Sequence, residues 1–128
     1  MSRGGVRNES VESKAVGLGG NEFETGVLNV AAATTIPAGA LLKRDAAGKF
    51  ALVTDLTADT PVAINPFDIP NKGSAAADMS LRAIIFGRVN ANMLNVSGAP
   101  VTSPALFDKI RANTLCVPIQ TTDISRTE

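Results

Sequence analysis

Residues 36–53 read IPAGALLKRDAAGKFALV and place two turn signals between short apolar runs. The opening IPAG predicts a tight turn, because proline presets φ at the second position and glycine is favoured at the fourth. The DAAG segment at 45–48 predicts a second loop, whose glycine can take the left-handed conformation of a bulged hairpin. We therefore expect the runs on either side of that loop, residues 41–44 and 49–53, to pair as a β-hairpin.

The composition describes a small domain with an aliphatic core. The chain has 128 residues, of which 45% are hydrophobic and 4% aromatic, with no Trp or Tyr. This length is typical of one domain. We expect four phenylalanines to be the largest core residues: Phe50, Phe67, Phe86 and Phe107.

The charge balance argues against a nucleic-acid-binding protein. Twelve basic and twelve acidic residues give a formal net charge of zero, whereas nucleic-acid binders carry surplus Lys and Arg. Proteins near zero net charge tend to associate. We therefore expect a subunit of an assembly, with no nucleic-acid partner.

The chemistry-bearing residues favour neither an enzyme nor a metal protein. The chain has no His, which removes the commonest general base and metal ligand. Cys116 is the single cysteine and is predicted to be a small buried hydrophobe. Asp55 and Asp59 are expected to be solvated or capping carboxylates. We predict no catalytic residues, no metal site and no cofactor.

No apolar run approaches the ~20 residues of a membrane-spanning helix, and the N-terminal residues lack the apolar segment of a signal peptide. We therefore expect no membrane partner and no secretion.

Residues 1–26 are predicted to form an extended N-terminal arm. Their apolar residues are too few and too scattered to offset the entropy of ordering the backbone. One interpretation is a floppy terminus. The other is an arm that becomes ordered on a partner, with contacts made by Val11, Val16, Leu18 and Phe23.

The rest of the chain predicts a mainly β domain over residues 27–120. Strands are expected at 27–30, 60–64 and 79–89, with loops at 65–73 and 75–77. The longest of these, MSLRAIIFGRV, has apolar residues on both faces and a glycine that indicates a bulge or bend. Ile84 and Phe86 fall on its outer face by strict alternation and are candidates for subunit contacts in an oligomer.

One short helix is predicted near the C-terminus. Ser103 is its expected N-cap, Pro104 fits the first turn, residues 105–112 form the body, and Asn113 ends it in a left-handed conformation. The alternation of LCVPI at 115–119 predicts a final edge or bulged strand, and residues 121–128 form a polar tail.

The order of these segments resembles that of the head decoration proteins of tailed bacteriophages, the lambda D-like family. The resemblance rests on the polar, glycine-bearing arm, the hairpin at 36–53, and the Thr/Asp loop at 54–60 followed by PVAI. It continues through LRAIIFGRVN, the short helix and TLCVPI. It covers the layout of residues 27–120. Family members often carry Trp and Tyr, and this chain has neither.

The resemblance implies a β-clip fold, a small incomplete β-barrel with one short C-terminal helix and an extended N-terminal arm. It also implies a homotrimer that binds the outer surface of the expanded head. There it would stabilise contacts between subunits of the major capsid protein, and its arms would become ordered on the shell. The protein would be made in the host cytoplasm and located on the outer capsid surface of the virion.

Two other readings remain open from the sequence. The chain is alternatively a head fibre or tail protein with a similar barrel, which would assemble into rings or fibres without binding capsid faces. More distantly, IPAGALL resembles the opening of small β-clip domains of sugar-acid synthases, and dUTP-hydrolysing trimers share the broad fold. The chain has no recognisable uridine-pocket motif, and nucleotide hydrolysis would be the test.

Overall fold

The computed structural model describes residues 15–120. Within that range the protein is mainly β with one short α-helix, as predicted. The strands are β1 Glu22–Val30, β2 Thr34–Ile36, β3 Leu41–Arg44, β4 Phe50–Leu52, β5 Ala63–Ile64, β6 Ile69–Asn71, β7 Ala77–Asn90, β8 Asn95–Val96, β9 Ala99–Pro100 and β10 Leu115–Ile119. The helix α1 spans Pro104–Asn113, and a 3₁₀ turn spans Ala91–Met93.

Five strands form a closed barrel-like sheet in the order β7-β1-β4-β3-β5. The ring closes where Ile64 of β5 pairs with Ile84 of β7. Strand β10 lies outside the ring and pairs in parallel with the C-terminal half of β7. The pairs β2–β6 and β8–β9 form two separate ribbons. The barrel predicted from the sequence is therefore present, and it is closed where an incomplete one was expected.

The hairpin over residues 36–53 is confirmed. Strands β3 and β4 pair antiparallel, and Gly48 has a φ of +84° in the connecting loop. The Asp45 carboxylate accepts hydrogen bonds from the backbone N–H groups of Ala47 and Lys49 and stabilises this loop.

The turn before the hairpin lies one residue later than predicted. Its hydrogen bond runs from the N–H of Ala40 to the carbonyl of Pro37 at 3.3 Å. Gly39 therefore occupies the third position, with a φ of +88°, which that position of a type II turn requires.

The hydrophobic residues form two clusters on opposite faces of the central strands. One fills the barrel and contains Leu28, Val30, Ile36, Ala40, Leu42, Phe50, Ala63, Ile69, Leu81 and Ala83. The other lies beneath α1 and β10 and contains Val16, Leu41, Val53, Leu56, Ile64, Ile84, Val89, Ala91, Leu94, Val101, Phe107, Ile110 and Cys116. Adjacent residues on β3, β5 and β7 therefore enter different clusters, as Ala83 and Ile84 do. These strands are buried on both faces, so their sequences are apolar at consecutive positions.

The four phenylalanines expected in the core divide evenly. Phe50 and Phe107 are buried, whereas Phe67 and Phe86 are exposed. The prediction is wrong for the latter two because it counted apolar content alone and ignored which face of the backbone each residue occupies.

Two predicted loops contain strand residues. The 65–73 loop includes β6, which pairs with β2, and Ala77 begins β7. Both pairings are long-range, and nothing in the local sequence indicates them. The predicted strand at 60–64 is reduced to Ala63–Ile64.

Ser103 is the N-cap of the helix as predicted, although its side chain makes no capping hydrogen bond. The helix does not end in a left-handed residue at Asn113. Thr114 is the C-cap with a φ of −128°, and its hydroxyl donates to the carbonyl of Ile110 at 2.7 Å. The chain passes directly from this cap into β10, so an extended residue is needed there. The left-handed turn would send the chain away from β7.

Residues 15–26 belong to the folded domain instead of forming an extended arm. The carbonyl of Val16 accepts from the N–H of Asn90 at 2.7 Å, and the N–H of Leu18 donates to the carbonyl of Arg88 at 3.0 Å. Strand β1 then begins at Glu22 and runs through the predicted boundary at residue 26. Backbone hydrogen bonds to β7 order this segment, and its sparse apolar content gave no indication of that pairing. The remaining part of the predicted arm, residues 1–14, and the predicted tail, residues 121–128, lie outside the described residues.

Candidate interaction surface

Several large apolar side chains of the described domain are exposed instead of buried. They are Phe23, Phe67, Phe86, Leu115 and Val117. They divide into two patches, a groove beside β1 and a second patch formed by β10 and its neighbour Phe86. Such exposed apolar surface is typical of an interaction site.

The groove lies between the strand pair β1–β7 and the loop that connects β5 to β6. Its volume is about 600 Å³, within the usual range of ligand and side-chain pockets. The residues that give it its character are Phe23, Pro66, Phe67, Pro70, Leu81 and Arg82. The lining is thus mostly apolar, with one cationic side chain.

The loop on one side of the groove is held by the turn at 37–40. Asn65 is buried, and its side-chain Nδ2 donates to the carbonyl of Pro37 at 3.0 Å. The Asp68 carboxylate accepts from the N–H of Ala38 at 2.8 Å. Because both residues that flank Pro66 and Phe67 are fixed to the turn, Phe67 is held on the outside, where it is 74% exposed.

Arg82 and Phe23 form the opposite side of the groove. The Arg82 guanidinium carbon lies 4.9 Å from the centroid of the Phe23 ring, within the range of a cation–π interaction. Arg82 faces Thr25 across the β1–β7 pair. The sheet therefore positions both side chains on one surface.

The second patch is formed by Leu115, Val117 and Phe86, with Leu115 directly opposite Phe86 in the parallel register of β10 and β7. The sequence predicted the alternation in β10, but the larger apolar residues point outward and Cys116 and Pro118 are the buried ones. The reason is that Cys116 packs into the cluster beneath the helix, which fixes the direction of every other side chain in the strand.

The free edge of β10 is poorly suited to adding another strand. Cys116 and Pro118 direct their backbone nitrogens to the same edge, since neighbouring residues alternate along a strand. The Cys116 N–H already donates to the hydroxyl of Thr114 at 3.0 Å, and Pro118 has no N–H. Such an edge disfavours strand addition, so a partner here would contact side chains.

The residues predicted for the capsid-binding arm have different environments. Val16 is 1% exposed and lies in the core, so it is not available for an intermolecular contact. Leu18 is half-buried, Phe23 is exposed in the groove, and Val11 lies outside the described residues.

Of the two predicted subunit-contact residues, Ile84 is fully buried and Phe86 is 42% exposed. Ile84 lies on the face opposite Ala83, as alternation predicted, but that face is covered, and Ile84 packs into the cluster beneath α1 and β10.

Sequence reasoning missed several residues of these two patches: Phe67, Arg82, Leu115 and Val117. One signal was present for Phe67, because a phenylalanine inside a proline-rich loop has no strand or helix to carry it into a core. No comparable signal distinguished the exposed from the buried face of β10.

Three titratable groups of the domain, Cys116, Asp55 and Asp59, have structural roles. Cys116 is buried as predicted, and its burial raises the pKa of the thiol, which disfavours the nucleophilic thiolate. The Asp59 carboxylate accepts from Lys43 Nζ at 3.0 Å and from the Thr54 N–H at 3.1 Å. These bonds lower its pKa to about 2. The capping role expected for Asp55 and Asp59 is confirmed, since both carboxylates bind N–H groups of their own loop.

Within residues 15–120, no group of three or more His, Cys, Asp or Glu side chains is placed to hold a metal ion. No helix in that range has the length and apolar character needed to span a membrane. No protein-family model matches the chain, and no curated protein is significantly similar to it. The resemblance to head decoration proteins therefore stays a prediction.

Proposed function

We propose that this chain is a capsid decoration protein, a structural subunit that binds the outer surface of the expanded phage head as a trimer. There it stabilises contacts between subunits of the major capsid protein. The observation that carries the proposal is the pair of exposed apolar patches on a domain with zero net charge. The mainly β fold with a short C-terminal helix agrees with the fold class that the sequence resemblance implies.

The energetics of the two patches support binding to other proteins. Removing apolar surface from water contributes about 25 cal/mol per Å², so each exposed aromatic or aliphatic side chain favours a covered state. The absence of net charge means that copies of the chain do not repel one another strongly. The second patch suits contacts between copies, and the groove suits the major capsid protein.

A trimer is expected to bind the shell with higher affinity than a monomer that makes the same contacts. After the first subunit binds, the second and third bind at high effective concentration. Residues 1–14, which include Val11, are the remaining candidates for an arm that becomes ordered on the shell. Ordering such a segment costs about 2–5 kcal/mol, which the groove and the avidity of the trimer offset.

The same proposal places the protein on the outer capsid surface of the virion after synthesis in the host cytoplasm. It assigns the protein no enzymatic activity, cofactor, nucleic-acid partner or membrane partner. The exposed large side chains of both patches are apolar, and Cys116 is enclosed in the core. These features support a role in binding.

The test combines sedimentation velocity with co-sedimentation on expanded, undecorated phage heads. The wild-type chain is expected to sediment as a trimer and to pellet with the heads. The double variant Phe86→Ser with Leu115→Ser is expected to sediment as a smaller species with an unchanged fold by circular dichroism. A wild-type chain that stays monomeric and remains in the supernatant would contradict the proposal. Rings or fibres seen by electron microscopy, without binding to heads, would instead support a head fibre or tail protein.

A further inference from the structure

The groove contains a cation, Arg82, that pairs with no carboxylate in the described part of the chain. Arg82 takes part in none of the ion pairs among residues 15–120, where Lys43, Arg44, Lys49 and Arg111 each contact a carboxylate. Its guanidinium instead lies over the ring of Phe23. The groove therefore presents a positive charge beside an apolar surface.

The position of Arg82 over Phe23 also leaves the guanidinium able to bind. Its carbon lies 4.9 Å from the ring centroid, and its N–H donors lie along the edges of the guanidinium plane. A carboxylate can approach those edges and accept two parallel hydrogen bonds. Because the ring already restricts the arginine side chain, less conformational entropy is lost when the carboxylate binds.

The other charge in the groove does not neutralise Arg82. Asp68 is on the loop side and its carboxylate accepts the N–H of Ala38. The apolar space between the two sides is formed by Phe23, Pro66, Phe67 and Leu81. Its volume of about 600 Å³ accommodates several side-chain groups.

We propose that this groove receives a segment of the major capsid protein that presents an apolar side chain with a carboxylate beside it. The apolar side chain contacts Phe23 and Phe67, and the carboxylate pairs with Arg82. The inference rests on the proposed function for the identity of the partner. The chemistry of the recognition rests on the groove itself. The β1–β7 pair occupies its own backbone donors and acceptors here, so recognition is through side chains.

The first experiment measures binding of full-length variants to expanded heads. Arg82→Gln is expected to bind about 10- to 100-fold more weakly, since losing a charge-assisted hydrogen bond lowers affinity by about that factor. Phe23→Ser is expected to weaken binding by a similar factor, because it removes apolar contact surface. Arg82→Lys is expected to be intermediate, because it keeps the charge and loses the planar fork. Lys72→Gln is the matched control, since Lys72 is an exposed cation that does not line the groove. Wild-type-like binding by Arg82→Gln would overturn the inference and leave the proposed function standing.

The second experiment tests the groove without phage heads. The full chain is titrated with N-acetyl-Leu-Asp-amide and, as a control, N-acetyl-Leu-Asn-amide, and amide shifts are followed by NMR. Saturating shifts at Thr25, Leu81 and Arg82 are expected with the Asp probe. The Asn probe is expected to bind several-fold more weakly, and the Arg82→Gln variant is expected to lose the preference for the Asp probe.

The outcomes separate the two proposals. If the Asp probe binds in the groove but wild-type chain ignores the heads, the proposed function fails and the capsid protein is excluded as the source of the segment. Equal binding of the two probes, or shifts elsewhere, would overturn the role of Arg82. A change in oligomeric state caused by Phe23→Ser would overturn the capsid-protein segment as the occupant, since the occupant would then be a second copy of this chain.

Discussion

Val16 and Phe23 lie close together in the sequence, and both were predicted to be partner contacts on an arm, yet they occupy opposite environments. Val16 is 1% exposed within the cluster beneath α1, whereas Phe23 is 40% exposed in the groove. Both are isolated apolar residues in a polar, glycine-bearing segment. The comparison teaches that scattered apolar residues do not by themselves distinguish an arm from an edge of the fold.

The difference between the two residues arises from how the backbone meets β7. Near Val16, the chain pairs with the last residues of β7 and turns its side chain beneath the helix. At Phe23, the register of β1 against β7 shifts, and the ring is directed to the outer surface. The stretch between them is held by Asn21, whose Nδ2 donates to the carbonyls of Phe86 and Arg88.

The largest expected effect is on the buried side of the comparison. Val16→Ser is expected to lower the free energy of unfolding by about 2–4 kcal/mol, because it leaves a cavity and buries a hydroxyl. Urea denaturation measures this value, and Val16→Ala provides a milder variant if the serine protein fails to fold. Val27→Ser is the matched control, since Val27 is half-buried and outside both clusters. Equal, small effects at the two positions would show that Val16 is not a core residue and would favour its original assignment to the arm.

A smaller effect is expected at Gly87 of β7, which lies close to Gly20 in the segment between Val16 and Phe23. This glycine has a φ of +107°, and a Cβ there would lie 2.7 Å from the carbonyl oxygen of Gly20. Gly87→Ala is expected to cost about 2 kcal/mol through backbone strain and the clash. Gly98→Ala isolates the strain, because Gly98 has a φ of +92° with open space around it. If the two variants unfold at the same urea concentration, the close approach of Gly87 to the Gly20 carbonyl adds nothing to the cost of the substitution.

The side-chain bonds of Asn21 are expected to contribute less. Asn21→Ala removes two donated bonds of 3.1 and 3.0 Å and one accepted from the Gly19 N–H. At partly exposed sites we expect a loss of about 1–2 kcal/mol. Hydrogen exchange of the Asn90 amide, which donates to Val16, should become faster. Asn29→Ala is the control, since that side chain donates one bond, to Asp78, and an equal response would show that Asn21 does not hold the segment.

The smallest effect on stability is expected at Phe23. Phe23→Ser removes an exposed ring and its stacking with Arg82, so the free energy of unfolding should change by about 1 kcal/mol or less. Binding to expanded heads should fall strongly in the same variant. Thermal unfolding followed by circular dichroism provides the check. A loss of stability comparable to that of Val16→Ser would place Phe23 in the core and remove the contrast.

Elements defined by local chemistry were predictable from the sequence. The hairpin follows from the turn residues at 36–39 and 45–48, the start of α1 from Ser103 and Pro104, and β7 from its long apolar run. The burial of Cys116 follows from its apolar neighbours. Within the candidate surface, Phe23 and Phe86 are both exposed, and their roles as intermolecular contacts stay predictions.

Features that depend on long-range pairing were not predictable. Ile84 is buried because β7 lies between two clusters, so alternation along the strand does not assign an inside and an outside. Leu115 and Val117 are exposed because Cys116 faces the helix. Arg82 became a candidate only when the fold placed it over Phe23, a residue from a distant part of the chain.

By itself, the sequence determined a neutral, mainly β domain with a hairpin, a long strand and one short helix. These depend on turn chemistry, capping and periodicity, which operate over a few residues. The tertiary structure decided where the folded domain begins, which face of each strand is covered, and how Phe23, Phe67 and Arg82 form one groove. The reason is that burial and proximity depend on which distant strand supplies hydrogen bonds and which cluster receives each side chain.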